Sequence, residues 1–152
     1  MRTYIILSFI LILLCYCTDR PDKKPISPKV KIEFRLAVEN PVEGFELRED
    51  DGKKIYLNPK VEISEKDIVS AYHAKDQNDY PTIFLELNAE GAIKFETLTA
   101  NNIQKMLAVI VNGELIMAPI IQTKIPGGKV QISGAFSEAE IESLFKSLTE
   151  PL

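Results

Sequence analysis

The sequence predicts an α+β domain in which a mostly antiparallel sheet packs two main helices on one face. Three observations support this fold class. Several short segments alternate apolar and polar residues as strands do, two segments have the apolar periodicity of helices, and the connections have hairpin length. Along the chain the order is strands, helix, strands, helix, which is typical of a sheet with its helices on one side.

Strands in the first half of the chain are separated by clear turn signals. Asp50-Asp51-Gly52 is a good hairpin turn, and the polar residues 75–79 form a second one. Between these hairpins, Ser64 and Asp67 have the spacing to cap one short helical turn. The predicted strands are residues 30–36, 45–48, 54–57, 70–74 and 82–87.

The first helix is predicted to follow these strands. Asn88 is suited to cap it, and the helix extends to about Asn101. Gly91 weakens the first turn slightly, because glycine is a poor helix former. The residues expected on the buried face are Ala92, Phe95 and Leu98.

The strongest strand signal lies in the second half of the chain. Residues 106–111 have the sequence MLAVIV, an apolar run that is too short for a buried helix and typical of a strand covered on both faces. Asn112-Gly113 follows, and both residues tolerate the positive φ that a type I′ hairpin requires. We therefore predict a partner strand over 114–118. A third short strand is predicted over 129–133, after the turn at Pro126-Gly127-Gly128.

The second helix is predicted over 138–148. Ser137 and Glu140 have the spacing of a capping box. Four apolar residues recur at i, i+3, i+4 and i+7, which puts them on one face that must pack against the sheet. These residues are Ile141, Leu144, Phe145 and Leu148.

The composition is that of a globular protein and argues against nucleic acid as a partner. The chain has 152 residues, of which 45% are hydrophobic and 26% charged, and its formal charge is −4. That length suits one domain with a leader and a linker. The lysines are dispersed, without a basic patch interleaved with aromatic residues.

The N-terminal segment is typical of an exported protein with a lipid anchor. Residues 4–14 are apolar except for Ser8, and eleven residues are too few to cross a hydrocarbon layer of roughly 30 Å. We predict a signal peptide over 1–16. Residues 14–17 resemble a bacterial lipoprotein box, although Tyr16 stands where Gly, Ala or Ser is preferred. We predict lipidation, including palmitate, at Cys17.

This anchor would hold the protein on the non-cytoplasmic side of a membrane in the bacterial cell envelope. An ordinary cleaved signal, or an uncleaved one, is the alternative. Cleavage before Cys17 would leave a single cysteine and no disulfide within one chain. Residues 17–29, with three prolines, are predicted to be a flexible tether, and residues 30–150 the α+β domain.

No catalytic residues, cofactor or metal site are predicted, and we expect the protein not to be an enzyme. His73 is the only histidine, and no cysteine or cluster of acids lies near it at ligand spacing. No nucleophile elbow or phosphate-binding loop is present. The serines at 64 and 137 are explained as helix caps.

A surface loop is the remaining candidate for binding. Residues 119–128 place Ile120 and Ile121 among polar side chains, where they could contact a partner. Both isoleucines could equally belong to the core, since isoleucine is usually buried. The candidate partner-binding residues are Pro119, Ile120, Ile121, Gln122, Lys124, Gly127 and Gly128.

A series of short motifs carries a family resemblance. They include Asp67-Ile68-Val69, Gly91-Ala92, Asn101-Asn102, Asn112-Gly113, Ala118-Pro119, Gly127-Gly128, Ile132-Ser133-Gly134 and Phe136-Ser137. In this order and spacing they resemble the head subdomain of the first periplasmic domain of SecD, an accessory subunit of the bacterial Sec protein-export machinery. Residues 32–36 resemble the strand that opens the same periplasmic domain. SecD itself has several membrane-spanning helices with charged residues for proton coupling, and we expect this chain not to share that drive.

The resemblance implies a non-catalytic domain connected with protein export or envelope protein handling. Our first hypothesis is a membrane-anchored lipoprotein that binds an unfolded polypeptide or a protein partner. The alternative is a structural or adaptor subunit of an envelope complex that is assembled by sheet-edge pairing. An enzyme is the weakest of the three hypotheses.

Overall fold

The strands divide between two antiparallel sheets. The structure is a computed structural model that describes residues 21–50 and 52–150, so the predicted signal peptide and Cys17 lie outside the described residues. The strands in this part of the chain are β1 (Lys24–Pro25), β2 (Ile32–Val38), β3 (Glu46–Asp50), β4 (Lys53–Leu57), β5 (Ile63–Ser64), β6 (Ile68–Lys75), β7 (Pro81–Leu87), β8 (Met106–Val111), β9 (Glu114–Met117) and β10 (Lys129–Ile132). The helices are α1 (Ala89–Asn101) and α2 (Glu138–Thr149), with one 3₁₀ turn at Glu65–Asp67.

The α+β class predicted from the sequence is confirmed, but the strands form two sheets where the sequence predicted one. Sheet A has the order β1-β6-β7-β10, and sheet B has the order β3-β4-β2-β8-β9, with β5 also paired to β2. The sequence predicted one mostly antiparallel sheet and did not separate its strands. In particular, β10 pairs with β7 rather than with the β8–β9 hairpin that precedes it.

Strand β8 is the centre of sheet B. Its residues 107–111 are all buried, as predicted for a strand covered on both faces. On one side it pairs with β2, from Ile32 opposite Val111 to Ala37 opposite Met106. On the other side it pairs with β9 through Asn112 and Gly113, whose φ angles of 50° and 85° are those of the predicted type I′ turn.

Sheet B curls until its two ends meet. The Cα atoms of β3 and β9, at opposite ends of the strand order, approach within 8 Å. The curled inner face encloses a small apolar cluster, which consists of Ala37, Ile55, Leu57, Ala108, Ile110 and Ala118.

Ion pairs connect β2 to β3, which lie on either side of β4 in sheet B. Arg35 contacts Glu33 at 2.5 Å and Glu46 at 3.0 Å, and Arg48 contacts Glu46 at 2.6 Å. Burial alone would raise the pKa of Glu33, but Lys31 and Arg35 beside it keep that pKa below its usual value. These contacts hold the β3–β4 hairpin against β2.

The main core lies between sheet A, the outer face of sheet B and the two helices. Phe34 of β2 meets Phe95 of α1 edge to face, with ring centroids 6.1 Å apart. Phe95 and Leu98 are buried as predicted, whereas Ala92 is only half-buried because it lies at the edge of α1 against Gly128.

Helix α2 forms where the sequence predicts it. Its capping box is present: the Ser137 amide donates to Glu140 at 2.7 Å, and the Glu140 amide donates to Ser137 Oγ at 3.3 Å. Ile141, Phe145 and Leu148 are buried, and Leu144 is half-buried.

The described part of the predicted tether is attached to sheet A. Lys24 and Pro25 pair with β6, and the Ser27 amide donates to the Leu148 carbonyl at 2.8 Å. Lys23 contacts Glu86 at 2.6 Å, and the Lys24 ammonium lies 5.3 Å from the Phe145 ring centroid. A proline-containing segment can join a sheet at its edge, where one side of the strand needs no donor. From Lys23 to Ser27, the chain therefore lies on the domain.

Candidate functional site

An apolar groove opens between the outer edge of β10 and residues 117–125. It has a volume of about 340 Å³. Its floor consists of buried side chains: Phe34, Phe95, Leu107, Val109, Ile121 and Val130. Its rim consists of more exposed residues: Met117, Pro119, Ile120, Gln122, Thr123, Ile125, Lys129 and Gln131. Lys129 is the one charged residue among those that line it.

One wall of the groove is fixed by backbone hydrogen bonds. Leu107 donates to the Pro119 carbonyl at 2.9 Å, and Ile121 and residues 104–105 exchange bonds of 2.8 and 2.9 Å. The Ile125 amide donates to Thr99 Oγ1 at 3.0 Å, which ties the loop to α1. The wall is therefore held in place before any ligand arrives, and preorganisation of this kind favours binding.

The two isoleucines that the sequence left open have different environments. Ile121 is 5% exposed and belongs to the core, whereas Ile120 is 47% exposed at the rim. Ile125, which is not among the predicted binding residues, is 37% exposed beside it. The loop thus contributes to both the floor and the rim.

The other predicted binding residues lie at different distances from the groove. Pro119 and Gln122 line it. Lys124 lies in the same loop, but its ammonium is paired with Glu96 at 2.9 Å. Gly127 and Gly128 are not among the lining residues and instead form the turn into β10, with φ angles of 83° and 66°.

The opposite wall is an open strand edge. Within the described residues, no strand pairs with β10 on the side away from β7. The Leu87 amide donates to the Gly128 carbonyl at 2.8 Å, so the polar backbone groups of Gly128 face β7. Because these groups alternate along a strand, those of Lys129 and Gln131 face outward. The groove therefore combines an apolar floor with unpaired backbone donors and acceptors.

A second cleft lies around His73, and acidic side chains that line it form ion pairs with lysines. It has a volume of about 320 Å³ and includes Lys75, Glu138 and Glu142. Lys75 lies 3.6 Å from Glu138, and Glu142 is paired with Lys146 at 2.9 Å, which lowers the pKa of Glu142. Among the described residues, no three His, Cys, Asp or Glu side chains are grouped to hold a metal ion.

Asp67 is the carboxylate with the best-defined structural role. It accepts a hydrogen bond from the Ser64 amide at 2.9 Å and from the Lys94 ammonium at 3.0 Å. Burial alone would raise the pKa of Asp67, but these two donors keep it below the usual value of 3.8. It also lies directly beneath Gly91, where an added Cβ would come within 2.7 Å of the Asp67 carbonyl oxygen. Glycine is needed there for close contact, which explains why it is tolerated in the first turn.

Asp67 should make the stability of the domain depend on pH. Since its pKa is lower in the folded than in the unfolded state, the ionised form stabilises the fold above about pH 4, and this contribution is lost as the pH falls through the folded-state pKa. We expect Asp67→Asn to be less stable at pH 7 and to lose less further stability on acidification. Urea unfolding between pH 7 and pH 2.5 measures this.

The exposed Glu114 provides the control for losing one carboxylate. Glu114→Gln should retain the wild-type dependence on pH. An Asp67→Asn variant whose unfolding free energy falls as steeply as that of the wild type would contradict the role assigned to Asp67.

Comparison with known proteins identifies one family. Residues 42–150 match the family model for the SecDF P1 head subdomain. The SecD subunit of the protein translocase from Sebaldella termitidis is 46% identical over 77 residues, which are 51% of this chain and 19% of that protein. Aquifex aeolicus SecD is 30% identical over 134 residues, which are 80% of this chain and 26% of that protein. The chain therefore spans only about a quarter or less of these relatives.

Two solved structures have a similar fold. SecDF in its super-membrane-facing form has a TM-score of 0.60 and 27% identity, and the match covers 81% of this chain and 19% of that one. A second SecDF structure, of a membrane component that enhances protein export, has a TM-score of 0.58 and 25% identity. That match covers 85% of this chain and 66% of the other. Within the part of this chain that the structure describes, no helix is both long and apolar enough to cross a bilayer.

Proposed function

This chain belongs to the SecDF P1 head subdomain family, which is linked to protein export, and from this membership we propose that it binds an extended polypeptide without catalysing a reaction. The observation that carries the proposal is the apolar groove beside the open edge of β10. An extended chain can pair its backbone with such an edge while alternate side chains enter the pockets beside it.

This mode of binding suits a ligand without a fixed sequence. The backbone groups of Lys129 and Gln131 would pair with any polypeptide, since every residue except proline offers one N–H and one C=O. The more exposed apolar side chains around the groove, such as Met117, Ile120 and Ile125, would accept apolar side chains of different shapes. Unfolded proteins in transit expose both groups at once.

We further propose that lipid on Cys17 holds the domain against a membrane on the non-cytoplasmic side of the envelope. Cys17 precedes Lys23 by six positions, and this length of chain spans roughly 20 Å at most when extended. Because Lys23 is tied to Glu86 of sheet A at 2.6 Å, the domain would remain close to the bilayer. Strand β1 and strand β10 lie at opposite edges of sheet A, which would keep the anchor away from the groove.

The groove is tested by substitution at its rim. Ile120→Asp in the full 152-residue chain should weaken binding of a reduced, unfolded model polypeptide at least about tenfold, because the apolar contact that Ile120 would make with the polypeptide is lost and a charge is desolvated in the complex. Fluorescence anisotropy with the labelled polypeptide measures the affinity.

Ile93 provides a matched control, since it is 69% exposed on α1 and lies outside the groove. Ile93→Asp should leave the affinity unchanged. Equal losses in both variants would indicate nonspecific adhesion, and no binding by the wild-type chain would overturn the proposal.

The second candidate is an adaptor that pairs the same edge with a strand of one folded partner. The open edge of β10 supports it equally. A dedicated partner would bind in a fixed ratio and would compete with the unfolded polypeptide, whereas unrelated unfolded chains would bind weakly. Affinity measured across several unfolded polypeptides therefore separates the two candidates.

A further inference from the structure

A row of side chains crosses the outer face of sheet A and ends at the groove with two opposite charges, Glu86 and Lys129. Ser70 of β6 lies opposite Glu86 of β7, and Glu86 lies opposite Lys129 of β10. Directly opposed residues in antiparallel strands have their side chains on the same face. Pro25 of β1 lies opposite Ser70 at the other end of the row, and the ammonium of Lys23, two residues earlier, reaches diagonally to Glu86 at 2.6 Å.

The last member of this row is only partly neutralised. Glu86 already accepts hydrogen bonds from Lys23 and from Ser70 Oγ, the latter at 3.0 Å, and the lysines around it lower its pKa. Lys129 is exposed, and within the described residues its ammonium has no hydrogen-bond or ion-pair partner. The next position in the row, beyond Lys129, is the one that an added strand would fill.

The neighbouring rows have a different chemistry. Val130 is buried on the side of the core, where it continues the row of Ala71 and Leu85. Gln131 returns to the outer face, at the end of a row that contains the stacked rings of Tyr72 and Phe84. A strand added to β10 would therefore meet a cation, then an apolar side chain, then a neutral polar one.

We propose that the groove selects extended segments that place an aspartate or glutamate opposite Lys129 and an apolar residue opposite Val130. This inference rests on the proposed function and adds a sequence preference to it. The chain as a whole has a formal charge of −4, which disfavours an acidic peptide. The preference for an acidic residue therefore comes from the local charge of Lys129. An acidic residue at this position extends the charge alternation of the row, whereas a lysine there would oppose Lys129.

The test compares two peptides that differ at one position. Both alternate valine and threonine, and the central outer-face residue is glutamate in one peptide and lysine in the other. Because opposite and like cross-strand charges act in opposite directions, we expect the full-length chain to bind the glutamate peptide about three- to tenfold more tightly at low salt. Isothermal titration calorimetry measures the two affinities.

Variants at Lys129 identify the origin of the preference. Lys129→Gln should abolish it and Lys129→Glu should reverse it, whereas Lys54→Glu, a charge reversal at an exposed residue of β4, should leave it unchanged. Hydrogen exchange should also slow at the Lys129 and Gln131 amides when the glutamate peptide binds.

The outcomes separate the inference from the proposed function. Equal affinity for both peptides, with the same amide protection, would overturn the charge preference and leave polypeptide binding intact. A preference that persists in Lys129→Gln would also overturn it. If neither peptide binds and neither amide is protected, strand addition at β10 fails, and the proposed function fails with it.

Discussion

Replacing Phe95 with alanine should lower the free energy of unfolding by about 3–5 kcal/mol. The Phe95 ring is 1% exposed and meets Phe34 edge to face, so it joins α1 to the central part of sheet B. Its removal forfeits buried area, the aromatic contact and close packing, and the surrounding strands can collapse only partly into the cavity. Urea unfolding of the full-length chain, followed by circular dichroism, measures the change.

Ile93 on the same helix is the matched control. Because it is 69% exposed, Ile93→Ala should change the free energy of unfolding by less than about 0.5 kcal/mol. Comparable effects of the two substitutions would contradict the orientation of α1. A Phe95→Ala variant as stable as the wild type would contradict the described core.

Replacing Gly128 with alanine should lower the free energy of unfolding by about 2–4 kcal/mol. Its φ of 66° is unfavourable for a residue with a side chain, and an added Cβ would lie 2.7 Å from the Cβ of Ala92. The Gly128 carbonyl also accepts a hydrogen bond from Leu87, so displacing this residue would disturb the start of β10. Thermal unfolding of the variant measures the loss.

A substitution at Gly127 separates the cost of the positive φ from the cost of the clash with Ala92. Its φ of 83° is also positive, but nothing lies within 4 Å of an added Cβ, so Gly127→Ala should lose only about 1–2 kcal/mol. Adding Ala92→Gly to Gly128→Ala should restore part of the loss by removing the clash, despite the poor helix propensity of glycine. Equal destabilisation by both single substitutions would contradict the close contact between α1 and β10.

Elements defined by local chemistry were predictable from the sequence. Helix α2 follows from its capping box and its apolar face, and the β8–β9 hairpin follows from Asn112-Gly113. The division into two sheets was not predictable, because the alternating pattern of β10 is compatible with pairing to β7 or to β9. That choice depends on contacts between residues far apart in sequence.

The candidate site was predictable only in part. The sequence identified the loop at 119–128 but could not distinguish Ile120 from Ile121, because both are apolar neighbours in one segment. Backbone pairing of Ile121 with Lys105 settles which side chain turns inward. Phe95 was predicted as a core residue and is buried, but its position beneath the groove depends on how α1 packs against β2. No local signal marked Lys129, whose environment depends on its register with Glu86.

The pairing of β2 with β8 has a consequence for how the chain folds. Ile32 lies opposite Val111, so the central pair of sheet B joins segments with most of the domain between them. Closing so large a loop is entropically unfavourable and slow, whereas the β6–β7 hairpin and α1 are contiguous and can form early. We expect a transition state with an ordered β6–β7–α1 unit, in which substitutions on β2 mainly accelerate unfolding. During synthesis, sheet B cannot close until β8 has left the ribosome.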